Sequence, residues 1–279
     1  MSEEKLKEEL EMVLTAAFTD PNDSSAWFYQ RWLLGYSRPE LAVAAFRCSN
    51  NKTVIAFTKP ITADNLTVTL KGHDKSLQLK QFLSLNNKIS DTVFYSSEEV
   101  ESPLDFIQLE VETPNLKTPL LALQPFKKDM FYFHALAYTT SYTPDVLSEL
   151  KSQLQSCEEL LEYEPDSKWC LLTSALLMRA IDCNVYHLKS LQHLKKLQTV
   201  DPLRENYYKD LASKWILQKC LLDWSQHEQQ MCSVLDLSKE EELWCLTDRQ
   251  YFVIADNVII PEQLKKSYPE IKTFNSIKS

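Results

Sequence analysis

Three turns that pair an acidic residue with proline constrain the fold of this sequence more than any other feature. These turns are Asp20-Pro21, Glu164-Pro165 and Asp201-Pro202. Each follows an amphipathic run and precedes an aromatic residue and a Leu-rich run. Pro165 and Pro202 lie 37 residues apart, which is the length of one helix-pair repeat. Pro21 and Pro165 lie 144 residues apart, which is one such repeat plus about 107 residues. The spacing therefore predicts a helix-pair repeat array interrupted by an inserted domain.

Apolar residues at three- and four-residue steps predict the helices on both sides of the interruption. Thr143 is expected as the N-cap of the first helix after it, with Pro144 at the first helical position. The run 168–181 is apolar almost all round, so we expect that helix to be deeply buried. The predicted helices are 3–19, 25–34, 144–163, 168–181, 185–199 and 205 to about 229.

The intervening segment has the two-residue period of strands. The predicted strands are 53–58, 66–70, 77–85, 92–95, 104–111 and 130–138. Six to eight short strands in about 100 residues indicate a β-sandwich of immunoglobulin-like size. The segment lacks the Cys…Trp…Cys arrangement of true immunoglobulin domains, so the expected likeness is one of architecture.

The predicted fold class is α+β multidomain, with helix-pair repeats interrupted by an immunoglobulin-like β-sandwich. The predicted domains are a helix-pair repeat at 1–37, the inserted sandwich at 38–140, the continued helical repeat at 141–230 and a residual segment at 231–279. The run Cys232–Ser238 fits one strand of a leucine-rich repeat, but one copy cannot form a stable array. We expect either an ordinary terminal strand there or a truncated leucine-rich repeat.

Composition excludes several classes of function. The chain has two glycines in 279 residues, too few for phosphate-cradling loops that need close backbone approach. Its net charge of −9 argues against nucleic acid as the main partner. There is no apolar run of membrane-spanning length and no secretory signal, so we expect a cytoplasmic protein with reduced cysteines. No Cys or His spacing indicates a metal site, and no local arrangement indicates catalytic residues, so none is assigned.

Arg31 lies four residues after Trp27 on the second helix, so both residues share one face. One interpretation is an intersubunit contact, because Arg and aromatic residues are enriched in interface hot spots. The other is a pair inside the repeat, with Trp27 in the core and Arg31 bonded to a neighbouring turn. Both interpretations stay open at this stage.

The motif around these residues resembles the protein prenyltransferase α-subunit repeat, which carries an Asp/Asn-rich turn and then Trp and Arg four apart. Here it reads AAFTDPNDSSAWFYQRWLLG over 16–35. The segments at 157–173, 178–182 and 199–204 extend the resemblance to the Rab geranylgeranyltransferase branch of that family. Trp27, Tyr29 and Arg31 match the repeat motif, and they are the candidate positions for packing or for contact with a partner subunit.

The resemblance implies an α subunit of helix pairs wrapped around a β subunit that holds the catalytic zinc and most of the isoprenoid pocket. The complex would attach geranylgeranyl groups to C-terminal cysteines of Rab GTPases presented by an escort protein. The family's α subunits have further repeats ahead of the one that begins here, so we expect a C-terminal portion, an alternative product or a reduced homologue. The first hypothesis is therefore a non-catalytic α-type subunit without a cofactor of its own. The second is a stand-alone interaction scaffold.

Overall fold

The computed structural model divides the chain into two units, and each unit draws on two separate stretches of sequence. The first, which we call the helical unit, comprises Met1–Arg38 and Tyr138–Ile216. The second, the mixed unit, comprises Pro39–Ala137 and Leu217–Ser279. The structure describes residues 3–34, 43–49, 52–61, 67–71, 75–83, 89–98, 107–113, 116–117, 121–123, 125–127, 130–134, 142–226, 234–244 and 257–267.

The helices begin and end close to the predicted positions. They are α1 (Glu3–Thr19), α2 (Ser24–Leu33), α3 (Pro144–Tyr163), α4 (Lys168–Ile181), α5 (His187–Val200), a 3-10 turn (Pro202–Arg204), α6 (Glu205–Gln226) and α7 (Glu262–Ser267). Asp23 is the N-cap of α2, and its carboxylate accepts a hydrogen bond from the Ser25 backbone N–H at 2.9 Å. Thr143 and Pro144 occupy the predicted start of α3, although the Thr143 side chain makes no capping bond.

Helix α4 runs through the centre of the helical core. Its ten residues from Trp169 to Met178 are all buried, as its nearly continuous apolar surface predicted. It packs against α3 and α5, while α1 packs against α2 and α3. Helices α1 and α2 therefore share one hydrophobic core with helices that lie more than a hundred residues later in the chain. The helical-repeat part of the predicted fold class is confirmed.

The segment between α2 and α3 forms two antiparallel sheets. Its strands are β1 (Val43–Ser49), β2 (Lys52–Phe57), β3 (Thr67–Lys71), β4 (Lys75–Leu77), β5 (Lys80–Leu83), β6 (Ile89–Ser96), β7 (Ile107–Thr113), β8 (Leu116–Lys117), β9 (Leu121–Leu123), β10 (Pro125–Lys127) and β11 (Met130–His134). One sheet has the order β10-β11-β1-β2-β6-β5, and the other has β4-β3-β7-β8 with β9 also on β7. The coarse prediction of antiparallel strands between the helices is confirmed.

Some strand predictions differ from the structure. Strand β1 was not predicted, because residues 43–48 are all buried and a buried strand shows no alternation. The single strand predicted at 77–85 is two strands, β4 and β5, and they pair in different sheets. Parts of the strand predicted at 130–138 lie outside the described residues.

The C-terminal stretch contains a parallel strand pair, β12 (Val234–Asp236) with β13 (Asn257–Ile259). The two strands are offset by 23 residues, which is within the period of leucine-rich repeats. The ladder continues as the Leu237 backbone N–H donates to the Ile259 carbonyl at 2.9 Å. Buried side chains lie along both passages of the chain: Leu235, Leu237, Leu243, Ile260 and Leu264. The predicted run Cys232–Ser238 therefore pairs with a second strand, β13, which lies further along the chain.

A helix able to cross a bilayer, by length and apolar character together, does not occur within the described ranges. The predicted boundary at residue 230 stays a prediction, because residues 227–233 lie outside the described part of the chain.

Candidate functional site

The structure places Trp27 in the interior of the helical unit. Its side chain has no exposed surface, and its indole N–H donates to the Pro21 carbonyl at 3.1 Å. The Phe18 ring lies 6.1 Å from it, centroid to centroid. Trp27 thus fastens the Asp-Pro turn onto the start of α2, which explains why the turn and the tryptophan occur together in the motif.

Tyr29 lies on the surface, on a different side of α2. It is 40% exposed, and its ring stacks on Trp32 at 5.7 Å with the planes 14° apart. The Tyr29 hydroxyl donates to Glu9 of α1 at 3.0 Å, and this hydrogen bond raises the pKa of Tyr29. Trp32 is 53% exposed, and Met12, one turn along α1 from Glu9, is also exposed. We call Met12, Tyr29 and Trp32 the outer aromatic face.

Arg31 lies one turn after Trp27 on α2, at the edge of the face that Trp27 buries and close to the start of α4. Its guanidinium carbon is 4.3 Å from the Phe28 ring centroid and 5.5 Å from the Trp169 ring centroid. The two rings meet edge to face at 5.2 Å. The Arg31 Nε–H also donates to the Trp27 carbonyl at 3.4 Å. Arg31 therefore joins the first helix pair to the second through aromatic contacts and retains a partly exposed side chain.

Two more cations surround the same indole. The Lys168 Nζ lies 5.3 Å from the Trp169 ring centroid, and the Arg204 guanidinium carbon lies 5.0 Å from it. Cations over an aromatic face are attracted by its quadrupole, by about 0.5–1 kcal/mol each at exposed sites. We call Phe28, Arg31, Lys168, Trp169 and Arg204 the cationic–aromatic surface.

Asp201 holds the Arg204 end of this surface in place. Its carboxylate accepts from the Arg204 guanidinium at 2.7 Å and from the Tyr208 hydroxyl at 2.8 Å. Burial raises the pKa of Asp201, but the hydrogen bonds from Arg204 and Tyr208 and the charge of Arg204 outweigh burial, so its pKa lies below the ordinary value. The Asp-Pro turn before α6 therefore carries an ionised carboxylate that orients an arginine.

The three motif residues thus occupy three different places: the core, the outer aromatic face and the cationic–aromatic surface. Sequence reasoning missed Phe28, Lys168 and Arg204 as members of one surface. Lys168 and Arg204 each lie two or three residues after the proline of a repeated acidic turn, and that shared position was the signal available. The structure brings them together because α4 packs against α2 and the Arg204 side chain reaches the Trp169 ring at the start of α4.

Groups of three or more His, Cys, Asp or Glu side chains able to hold a metal ion do not occur among the described residues. The charged side chains near the cationic–aromatic surface instead form pairs, such as Lys196 with Asp166 at 3.1 Å. The chemical features of this surface are positive charge and aromatic rings.

Comparison with known proteins decides the family. The protein prenyltransferase alpha subunit repeat matches residues 6–37. Over 234 residues, covering 80% of this chain, the sequence is 32% identical to the geranylgeranyl transferase type-2 subunit alpha of Sus scrofa. The resemblance to the protein prenyltransferase alpha subunit family is confirmed. The Rattus norvegicus subunit is 33% identical over 237 residues, again 80% of this chain, and 41% of either relative is covered.

Another relative matches over a much shorter stretch of the chain. The geranylgeranyl transferase type-2 subunit alpha of Schizosaccharomyces pombe is 49% identical over 39 residues, which is 14% of this chain and 11% of that subunit. The chain thus spans less than half the length of the mammalian prenyltransferase subunits that it matches, and the similarity is not confined to the helix-pair motif.

Proposed function

We propose that this chain acts as a non-catalytic alpha-type subunit, or as part of one, in a Rab geranylgeranyltransferase. The observation that carries the proposal is similarity to type-2 alpha subunits over 80% of the chain. Because 80% of the chain is far more than one repeat contains, the similarity does not rest on the helix-pair motif alone. A stand-alone scaffold is not favoured, because it does not account for similarity to prenyltransferase subunits over so much of the chain.

In this proposal the chain binds a prenyltransferase β subunit, and the β subunit holds the zinc that favours the thiolate form of the substrate cysteine. This chain contributes binding surface only. The resulting complex would receive Rab GTPases from a Rab escort protein and transfer geranylgeranyl from geranylgeranyl diphosphate to their C-terminal cysteines. We propose a cytoplasmic location, where Rab GTPases would meet the complex.

The finer architecture belongs to the same proposal. We propose that the two antiparallel sheets between α2 and α3 form an immunoglobulin-like sandwich inserted into the helical repeats. We also propose that β12 and β13 are successive coils of a truncated leucine-rich repeat, since their parallel pairing and 23-residue offset fit that repeat. Both features are expected of the Rab-type branch of the family.

Tyr29 and Arg31 are the positions through which we propose that the chain meets its partner. Both lie on α2, and both have an aromatic neighbour, as interface hot spots often do, and Tyr29 is 40% exposed. Trp27 supports them from the interior. Its contribution is to hold the α2 start against the turn at Pro21.

Co-expression with a tagged prenyltransferase β subunit tests the proposal. We expect the two chains to co-purify, and we expect Arg31→Ala to weaken the association by about 1–3 kcal/mol. Lys151→Ala serves as the matched control, because Lys151 is an exposed cation of α3 in the same unit. Failure of the wild-type chain to associate contradicts the proposed function. Association with unchanged affinity for Arg31→Ala assigns Arg31 to internal packing instead.

A further inference from the structure

The cationic–aromatic surface is bordered by exposed apolar side chains. Phe28 is 50% exposed and Tyr207 is 42% exposed, while Leu203, next to Arg204, is 96% exposed. Exposed aromatic and aliphatic groups interleaved with arginine resemble the composition of protein interfaces. A surface built only to bind a small anion would not need these apolar groups.

The charge of the surface is opposite to that of the chain. Three cations, Arg31, Lys168 and Arg204, lie within 5.5 Å of one indole ring, whereas the chain carries a net charge of −9. The Asp201 carboxylate accepts hydrogen bonds from Arg204 and Tyr208. Among the described residues, Lys168 lies over the Trp169 ring and is in no contact ion pair, although its charge helps to lower the pKa of Asp201. The surface thus holds more positive than negative charge, and the Arg204 side chain is 44% exposed.

The charge balance selects the class of occupant. A polyanion such as nucleic acid would be repelled by the net charge of the chain at long range. A short acidic protein segment would bring carboxylates to the cations while its apolar side chains cover Phe28 and Leu203. Arg presents a planar fork that binds carboxylates through two hydrogen bonds.

We propose that the cationic–aromatic surface binds an acidic segment of a protein partner, with carboxylates on Arg31, Lys168 and Arg204 and an apolar side chain against Phe28 and Leu203. The inference deepens the proposed function, because it states the chemistry of the contact that an alpha-type subunit would make. It also stands on geometry that does not depend on which protein supplies the segment.

The first test uses the full chain and a short fluorescein-labelled peptide of Glu and Leu, followed by fluorescence anisotropy. Binding is expected to weaken as salt is raised, because exposed charges are screened. Lys168→Gln is expected to reduce affinity roughly 3- to 10-fold, the range of about 0.7–1.4 kcal/mol. Lys151→Gln removes the same charge from α3 and is expected to leave affinity unchanged. A peptide of Gln and Leu is expected to bind much more weakly.

Lys168 is the informative position because its replacement removes no described hydrogen bond. Arg204→Gln breaks the Asp201 pair, so its fold is checked by circular dichroism and by the midpoint of thermal unfolding. Equal binding of the two peptides, or equal loss of affinity in Lys168→Gln and Lys151→Gln, overturns the inference.

A second measurement separates this inference from the proposed function. The complex with a prenyltransferase β subunit is titrated with salt, using the wild-type chain and Lys168→Gln. If the subunits associate but neither salt nor Lys168→Gln alters the affinity, the proposed function stands and the acidic-segment inference fails. If the subunits do not associate while the acidic peptide binds as expected, the proposed function fails and the inference stands.

Discussion

The side-chain amide of Gln30 donates to the side-chain carbonyl of Gln153 at 2.7 Å, across 123 residues of sequence. Both side chains are fully buried. Gln153 in turn donates to the Glu149 carboxylate at 3.0 Å. The hydrogen bond between Gln30 and Gln153 joins α2, the last helix before the inserted strands, to α3, the first helix after them. A buried amide pair with defined geometry fixes the register between the two halves of the helical unit.

Replacing one member of this pair should destabilise the helical unit. Gln30→Leu leaves the Gln153 carbonyl buried without its donor, which costs about 1–3 kcal/mol. The double variant Gln30→Leu/Gln153→Met removes both groups and is expected to recover a large part of that loss. Urea unfolding followed by far-ultraviolet circular dichroism measures both. The pairing would be contradicted if the double variant lost at least as much free energy of unfolding as the two single variants together.

Trp27 and Tyr29 should respond differently to truncation, although they are two residues apart. Trp27→Ala removes a fully buried indole, and loss of a buried aromatic typically costs about 3–5 kcal/mol. Tyr29→Ala removes an exposed ring and is expected to change the free energy of unfolding by less than about 1 kcal/mol. The same unfolding experiment compares them. Equal destabilisation would show that the outer aromatic face is part of the core.

The Asp201 carboxylate makes the stability of the helical unit depend on pH. Because its folded pKa is below the ordinary value of 3.8, the contribution is fully present above the unfolded pKa. It is lost as pH falls through the folded pKa. Asp201→Asn should therefore flatten the acid side of the stability profile and lower stability at neutral pH. Thermal melts from neutral to acidic pH measure this, with Asp166→Asn, at an exposed carboxylate, as the control. Parallel profiles for wild type and Asp201→Asn would contradict the prediction.

The buried thiols of Cys48 and Cys157, and the half-buried thiol of Cys220, should resist alkylation. Burial raises the pKa of Cys48 to about 11, and burial with the nearby Glu240 carboxylate raises the pKa of Cys220 to about 12. Hydrogen bonding with Cys170 and burial also raise the pKa of Cys157. Because the thiolate is the reactive form, iodoacetamide at mildly alkaline pH should label these thiols far more slowly in the folded chain than in urea. Peptide mass spectrometry gives the rate for each cysteine. Equal folded and unfolded rates would contradict the burial.

The parts of the fold that local sequence determines were predicted well. Helix α1 covers Glu3–Thr19 and α4 covers Lys168–Ile181, the same bounds that apolar periodicity gave. The two parallel passages at β12 and β13 were less visible. Val258 and Ile260 follow a weaker pattern than Leu235 and Leu237, so the second strand was not recognised in the sequence.

The candidate site was predicted only in part, because its members meet through tertiary packing. Arg31 was recognised from its spacing to Trp27 within one helix. Lys168 and Arg204 lie 137 and 173 residues further along the chain, so no local pattern connects them to Arg31. Only the stacking of successive helix pairs places all three around Trp169. The sequence signal for this arrangement is the cation two or three residues after the proline in the turns Glu164-Pro165 and Asp201-Pro202.

The mass of the complex formed with a prenyltransferase β subunit tests the account most directly. The full chain is co-expressed with the β subunit, and the purified product is measured by size-exclusion chromatography with multi-angle light scattering. The account predicts one complex with the summed mass of one copy of each chain, and a smaller yield of that complex for Arg31→Ala. A wild-type chain that folds, elutes alone and leaves the β subunit unbound would contradict it.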